Sequence, residues 1–190
     1  MSKDKISTRV VATQNRAEPL LGSGSGARNT EKVWSWGGDN MLPYALSLLA
    51  RRSVAHRRII NDKADYIAGK GFSYGEGCDV LAHLVDRANG SGESLRSILS
   101  RIAMDSSLFG NAFLEVVTDA NHSFLSFYHI DASCCRVAHD SKHVVLHQDW
   151  SHFRQTESHT LPLYPLFEQM EDGTVRTVIH YKSYEPMFSH

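Results

Sequence analysis

Residues 94–117 read SLRSILSRIAMDSSLFGNAFLEVV, and the spacing of the apolar residues changes within this stretch. From Leu95 onward, apolar residues recur at intervals of three and four, which predicts an amphipathic helix with Ser94 as its N-cap. After Gly110 the interval becomes two, which predicts a strand over residues 112–117. The stretch therefore predicts a helix that passes into a strand at Gly110.

Two helices are predicted upstream of this stretch. Pro43 suits the first turn of one helix, and Ser53 is a good N-cap for the next, which ends at Gly69 and Gly71. The cap candidates for the first helix are Asp39 and Asn40. The apolar stripe of the second consists of Val54, Ile59, Ile60, Ala64 and Ile67. A short strand over residues 72–74 and a short helix from Asp79 are predicted to follow.

Three β-hairpins are predicted downstream. The first joins residues 112–117 to 124–129, the second 134–137 to 143–146, and the third 163–167 to 175–181. The Asp172-Gly173 dipeptide is a hairpin-turn signal for the third. Helices first and antiparallel hairpins afterwards indicate an α+β fold.

The first 32 residues predict a flexible N-terminal arm. Residues 22–26 read Gly-Ser-Gly-Ser-Gly, a linker composition. Trp34 and Trp36 are both expected to be buried and therefore mark the start of an ordered domain over 33–190. The 190 residues are 42% hydrophobic with a net charge of −1, and no apolar run approaches the roughly 20 residues that span a bilayer. Three cysteines, two of them adjacent, do not make a disulfide framework and indicate synthesis in a reducing compartment.

Eleven histidines invite a metal hypothesis, which their spacing does not support. His143 and His147 are four residues apart on a predicted strand, which separates them by about 13 Å, too far for one zinc ion. His129 and His139 flank the adjacent cysteines 134 and 135, which chelate poorly. We therefore expect no metal.

No cofactor or catalytic residue is predicted either. Residues 22–26 are glycine-rich but lack the Gly-Lys-Ser/Thr ending of a phosphate-binding loop. Asp131 could pair with a histidine, but residues 131–133 are more typical of a turn between strands. No nucleophile motif is present, so we expect a protein that is not an enzyme.

A cluster of positive charge is the strongest local charge feature. It consists of Arg51, Arg52, Arg57, Arg58 and Lys63. One interpretation is a solvated helix face with Asp62 and Asp65 as partners. The other is a contact with phosphate or with an acidic patch on another subunit.

Four segments in a particular order carry a family resemblance. They are 39–43 (Asp-Asn-Met-Leu-Pro), 53–72 with its Gly-Lys-Gly-Phe ending, 108–115 with Gly-Asn-Ala-Phe-Leu-Glu, and 128–133 (Tyr-His-Ile-Asp-Ala-Ser) followed by the strand Cys-Arg-Val at 135–137. Their order and spacing resemble the N-terminal, wing-type portion of tailed-phage portal proteins over about residues 36–185. Ala132 stands where that family usually has proline.

The resemblance implies a structural, non-catalytic subunit of an oligomeric ring, commonly a dodecamer, at the vertex of the virion capsid. Double-stranded DNA would pass through the channel of the full-length ring, and the terminase large subunit, capsid and head-completion proteins would be partners, with no membrane involved. Synthesis would take place in the bacterial host cytoplasm. The matching motif residues have scaffold roles: Gly69, Gly71, Gly110, Asn111, Asp131 and Ser133.

Full portal proteins also have stem, clip and crown elements, so the resemblance implies that the 33–190 domain is incomplete at its C-terminus and that the chain is a truncated product or a fragment. A different function stays open at this point. The chain could instead be a small nucleic-acid-binding module that uses the basic cluster between Arg51 and Lys63.

Overall fold

The computed structural model describes residues 33–75, 77, 79–121, 123–153 and 157–182, and the arm predicted for residues 1–32 lies outside them. Within these residues, the helices come first: α1 (Leu42–Arg52), α2 (Val54–Ala68), α3 (Asp79–Asp86) and α4 (Leu95–Phe109). The strands follow as β1 (Asn111–Asp119), β2 (Leu125–Ile130), β3 (Cys135–Val137), β4 (His143–Leu146), β5 (His159–Pro162), β6 (Glu168–Gln169) and β7 (Thr174–Lys182). This order confirms the predicted α+β class.

The passage from α4 to β1 occurs at Gly110, as the spacing of apolar residues predicts. Ser94 caps α4, and its hydroxyl accepts a hydrogen bond from the Ser97 N–H at 3.2 Å. Gly110 ends the helix with φ 69° and ψ 6°, a left-handed conformation that glycine adopts without a Cβ clash. β1 begins at the next residue, so helix and strand are joined without an intervening loop.

Two antiparallel sheets are built on this junction. The larger has the order β2-β1-β7-β6, and β1 pairs with β7 along its whole length, from Asn111 opposite Lys182 to Asp119 opposite Thr174. The smaller has the order β3-β4-β5. The β1–β2 and β3–β4 pairs confirm the first two predicted hairpins.

The first strand of the third predicted hairpin is wrong. Residues 163–167 do not form a strand: Leu163 makes a single parallel bridge to Val178, and the strand that pairs with β7 is the two-residue β6. Pro165 lies within the predicted strand and has no backbone N–H for a ladder. The unpredicted β5 precedes this segment and pairs with β4 instead. The turn at Gly173 is as predicted, with φ 79°.

Three smaller predictions fail. Residues 72–74 form no strand. Trp34 stays more than one third exposed, whereas Trp36 is buried. Met41, not Asp39 or Asn40, is the N-cap residue of α1. Asn40 has φ 61° and its amide oxygen accepts the Trp36 N–H at 3.0 Å, so its side chain holds the preceding turn rather than the helix end.

The main core lies where α4, the two sheets and the segment before α1 meet. Its buried members are Trp36, Phe109, Phe113, Ile130, Ala132, Cys135, Val144, Leu161, Leu163 and Val178. Because α1 and α4 pack on this core and α2 packs on α4, α2 forms an outer layer of the molecule.

Candidate functional site

Helix α2 leaves most of its surface in solvent. Its buried residues are Ile60, Ala64 and Ala68, which recur every four residues and therefore stack on one narrow face against α4. The predicted apolar stripe is confirmed for Ile60 and Ala64 and wrong for Val54, Ile59 and Ile67. Val54 is 83% exposed and Ile59 is 65% exposed, while Ile67 is about half exposed. Among the described residues α2 packs mainly on α4, so the apolar residues beside the narrow stripe are left exposed by the described elements.

All five residues of the predicted basic cluster are exposed. Arg51 and Arg52 occupy the last turn of α1, where positive charge interacts favourably with the helix dipole. Arg57, Arg58 and Lys63 lie on α2. The five exposed side chains thus lie on two consecutive helices, on the last turn of α1 and on α2.

The solvated-face interpretation holds for one member of the cluster. The Arg58 Nε lies 2.8 Å from both carboxylate oxygens of Asp62, and both side chains are largely exposed. Such a pair stabilises a helix by only about 0.3–0.5 kcal/mol. The other proposed partner, Asp65, forms no ion pair with the cluster in the part of the chain that the structure describes.

An exposed aromatic residue interrupts the positive charge. Tyr66 is 89% exposed and follows Lys63 by three residues, so these two side chains share one side of α2. Lys70 is exposed just beyond the end of the helix. We call the whole exposed surface the basic face. Its members are Arg51, Arg52, Val54, Arg57, Arg58, Ile59, Lys63, Tyr66, Ile67 and Lys70. It combines cations with unpartnered apolar area, a composition typical of an interaction surface.

The glycines at the end of α2 attach this face to the body of the protein. Gly69 has φ 52° and Gly71 has φ 90°, both conformations that a side chain would strain. The Arg96 Nε on α4 donates to the Gly69 carbonyl at 2.9 Å, and a Cβ on Gly71 would lie 3.4 Å from Arg96 Cδ. The chain therefore leaves α2 in a fixed direction along α4.

Asp131 and Ser133 shape the connection from β2 to β3. The Asp131 carboxylate accepts the Ser133 N–H at 2.8 Å and closes a 3₁₀ turn over Ala132–Cys134. A second carboxylate, Asp105 on α4, accepts the Ala132 N–H at 2.9 Å and lies 2.8 Å from the His129 Nε2. The histidine partner is thus Asp105, and Asp131 serves the turn.

Asp105 was not found from the sequence. Burial raises its pKa, and the hydrogen bond from His129 opposes that rise. The available signal was its position three residues after Ile102, at the edge of the apolar stripe of α4. The carboxylate joins α4 to the β2–β3 connection, which is a scaffold role.

A buried arginine connects two of the segments that carry the family resemblance. Arg136 on β3 has no exposed surface, and its guanidinium donates to the Asn40 side-chain and main-chain oxygens, the Ser133 carbonyl and the Cys135 carbonyl. The guanidinium carbon also lies 5.2 Å from the Trp36 ring centroid and 4.8 Å from that of Trp150. Carbonyl oxygens and aromatic faces together compensate the buried charge.

His143 lies beside carboxylates, whereas His147 and Cys135 are buried. His143 Nδ1 lies 2.6 Å from Asp140 Oδ2 and its Nε2 lies 3.1 Å from Glu168 Oε1, contacts that raise the pKa of His143. His147 is buried against aromatic rings. Burial also raises the pKa of the Cys135 thiol well above its usual value, which suppresses the reactive thiolate.

Within the described ranges, no group of three or more His, Cys, Asp or Glu side chains is arranged to hold a metal ion. In the same part of the chain, none of the helices has the length and apolarity needed to cross a bilayer. The basic face is the surface that the charge pattern and the fold both single out. No model of a known protein family matches this chain, and no curated protein matches it either.

Proposed function

We propose that this chain is a non-catalytic structural subunit of a portal-like ring at a phage capsid vertex. The observation that carries the proposal is the outer surface of α2. A fifteen-residue helix that buries three residues and exposes Val54, Ile59 and Tyr66 has a surface suited to a neighbouring protein. The resemblance of the four segments to portal proteins indicates that the assembly is a ring of such subunits.

The contacts between those segments support the proposal further. Arg136 hydrogen-bonds to Asn40, so the first and fourth segments meet in the core. The third and fourth segments pair as neighbouring strands, with Phe113 opposite Ile130. The first, third and fourth segments are thus in contact within one scaffold. In the proposed ring, the partners are further copies of the subunit, the terminase large subunit, capsid and head-completion proteins, and double-stranded DNA in the channel, with the virion as the location.

A second candidate function is nucleic-acid binding by the basic face. The observation that favours it is Tyr66, an exposed aromatic ring between Lys63 and Lys70, because bases stack on such rings while cations contact the phosphates. Two observations favour the protein contact instead. Arg58 is already paired with Asp62, and the exposed Val54 and Ile59 offer nothing to a phosphate backbone.

The experiment that tests the proposed function compares assembly with DNA binding. The double variant Arg57→Ala/Arg58→Ala is examined for ring-shaped particles by electron microscopy and for duplex binding at two salt concentrations. We expect fewer rings and unchanged duplex affinity. Normal rings together with a large loss of salt-sensitive duplex binding would overturn the proposal in favour of the nucleic-acid module, since binding to phosphates weakens steeply with salt.

A further inference from the structure

A second exposed surface carries charge of the opposite sign. The segment 164–172 contains three acidic side chains, Glu168, Glu171 and Asp172, and neither lysine nor arginine, a net charge of −3. Residues 51–70 contain six Lys or Arg and two Asp, a net charge of +4. The acidic surface, which we call the acidic edge, consists of Tyr164, Phe167, Glu168, Glu171 and Asp172. Asp172 also pairs with Arg176 at 2.6 Å, and Glu168 Oε1 lies 3.1 Å from His143 Nε2, so part of this negative charge is compensated within the chain.

The acidic edge also exposes apolar area. Tyr164 is 63% exposed and Phe167 is 52% exposed, and their rings contact each other edge to face with centroids 6.1 Å apart. Both rings precede the acidic residues in the chain, and Phe167 is adjacent to Glu168. Both surfaces thus combine exposed apolar side chains with charge of one sign, since Ile59 and Tyr66 lie among the cations of the basic face.

Among the described strands, none pairs with the second side of β6. The strand order β2-β1-β7-β6 puts β6 at the edge of the larger sheet. An edge strand exposes unpaired N–H and C=O groups, which a neighbouring chain can cover.

The basic face and the acidic edge lie on different parts of the fold. α2 packs on α4, which in turn contacts β1 and β2. β6 is three strand spacings, about 14 Å, from β2 across the sheet. One copy of the chain therefore has both surfaces available at once.

We infer that the basic face of one copy binds the acidic edge of a second copy of this chain. The inference rests on the proposed ring, to which it adds the two surfaces that join neighbouring subunits. Opposite charges favour this pairing, whereas contact of the basic face with a second basic face would put like charges together. Because the two surfaces lie on different parts of the fold, one such contact leaves a basic face uncovered on one copy and an acidic edge uncovered on the other, the head-to-tail geometry that produces rings or filaments.

Two charge-reversal variants test the inference in the full chain. Arg57→Glu/Lys63→Glu alters the basic face and leaves the Arg58–Asp62 pair intact. Glu168→Lys/Glu171→Lys alters the acidic edge. Arg87→Glu and Asp86→Lys, at the exposed end of α3, are the matched controls. Circular dichroism and thermal unfolding verify that each variant folds.

The masses of the variants in solution, alone and mixed, provide the readout. We expect each reversal variant alone to be monomeric and both controls to assemble like the wild type. An equimolar mixture of the two reversal variants should form at least a 1:1 heterodimer, because the intact basic face of one variant meets the intact acidic edge of the other.

The outcomes distinguish this inference from the proposed ring. If the wild type assembles and both reversal variants assemble equally well, the surfaces are wrong and the ring is retained. If the reversal variants are monomeric and their mixture stays monomeric, the head-to-tail contact is wrong. A wild type that is monomeric at every concentration overturns both.

Discussion

His180 on β7 should make the fold less stable in weak acid. Its ring stacks on Phe113 with centroids 4.4 Å apart, and its Nε2 donates to the Asn111 amide oxygen at 2.8 Å. Burial, with a smaller contribution from the charge of Lys182, lowers the pKa of His180 from 6.5 to about 4. The folded protein thus resists a proton that the unfolded chain accepts.

The size of the effect follows from proton linkage. A histidine whose pKa is lowered on folding contributes fully above the unfolded pKa, and its contribution is lost as the pH falls from about 6.5 towards 4. At pH 5, a shift from 6.5 to about 4 corresponds to a loss of about 2 kcal/mol relative to pH 8. For a domain of this size, that is a substantial part of the total free energy of unfolding.

The assay is urea unfolding of the wild type and of His180→Gln at pH 8 and pH 5. Glutamine keeps an N–H donor for Asn111 and cannot titrate, so the variant should lose about 2 kcal/mol less between the two pH values. His56→Gln, at an exposed position on α2, is the matched control and should leave the pH difference unchanged. If His180→Gln retains the wild-type pH difference, the reasoning from the burial of His180 is refuted.

Three further predictions concern the scaffold. Arg136→Met should lower the free energy of unfolding by roughly 3–5 kcal/mol in chemical denaturation, because several buried oxygens lose their hydrogen-bond donor. A loss under about 1 kcal/mol would contradict the role of the buried guanidinium. Gly110→Ala should cost about 1–2 kcal/mol through the left-handed φ, while Gly38→Ala, in open space, should change little; equal effects would argue against backbone strain at Gly110. His143→Gln should destabilise the protein more at pH 5.5 than at pH 8.5, as measured by thermal unfolding. The raised pKa of His143 contributes stability that is present at low pH and lost as the pH rises. The opposite order would contradict the contacts of His143 with Asp140 and Glu168.

Local signals in the sequence predicted local structure well. The α4-to-β1 junction depends on Ser94, Gly110 and the change in apolar spacing, all of which lie within one continuous stretch. The β1–β2 and β3–β4 hairpins likewise join neighbouring segments. Each of these elements is determined by residues close to one another in the chain, so pattern and turn chemistry suffice.

Pairings between distant segments could not be predicted in the same way. β1 and β7 pair over nine residues although more than fifty residues separate them. Neither strand contains a sequence signal that identifies the other as its pairing partner. The burial of Arg136 beside Asn40 is equally non-local. Such contacts depend on the packing of the whole core.

The exposed surface of α2 was missed for a related reason. The apolar residues Val54, Ile59 and Ile67 have the composition of a core stripe, and the sequence does not reveal how many layers cover a helix. The five cations are exposed, as is expected of long charged side chains, which stay in solvent wherever the helix packs. The candidate site could therefore be predicted in its charges and not in its apolar part.

The central claim is that the basic face is a contact between subunits. Measuring the mass of the wild-type chain in solution tests this claim most directly. Light scattering coupled to size-exclusion chromatography, over a range of protein concentrations and at low and high salt, gives that mass. We predict a species of several times 21.3 kDa that dissociates as salt screens the two charged surfaces. A single species of 21.3 kDa at every concentration and salt level would contradict the claim.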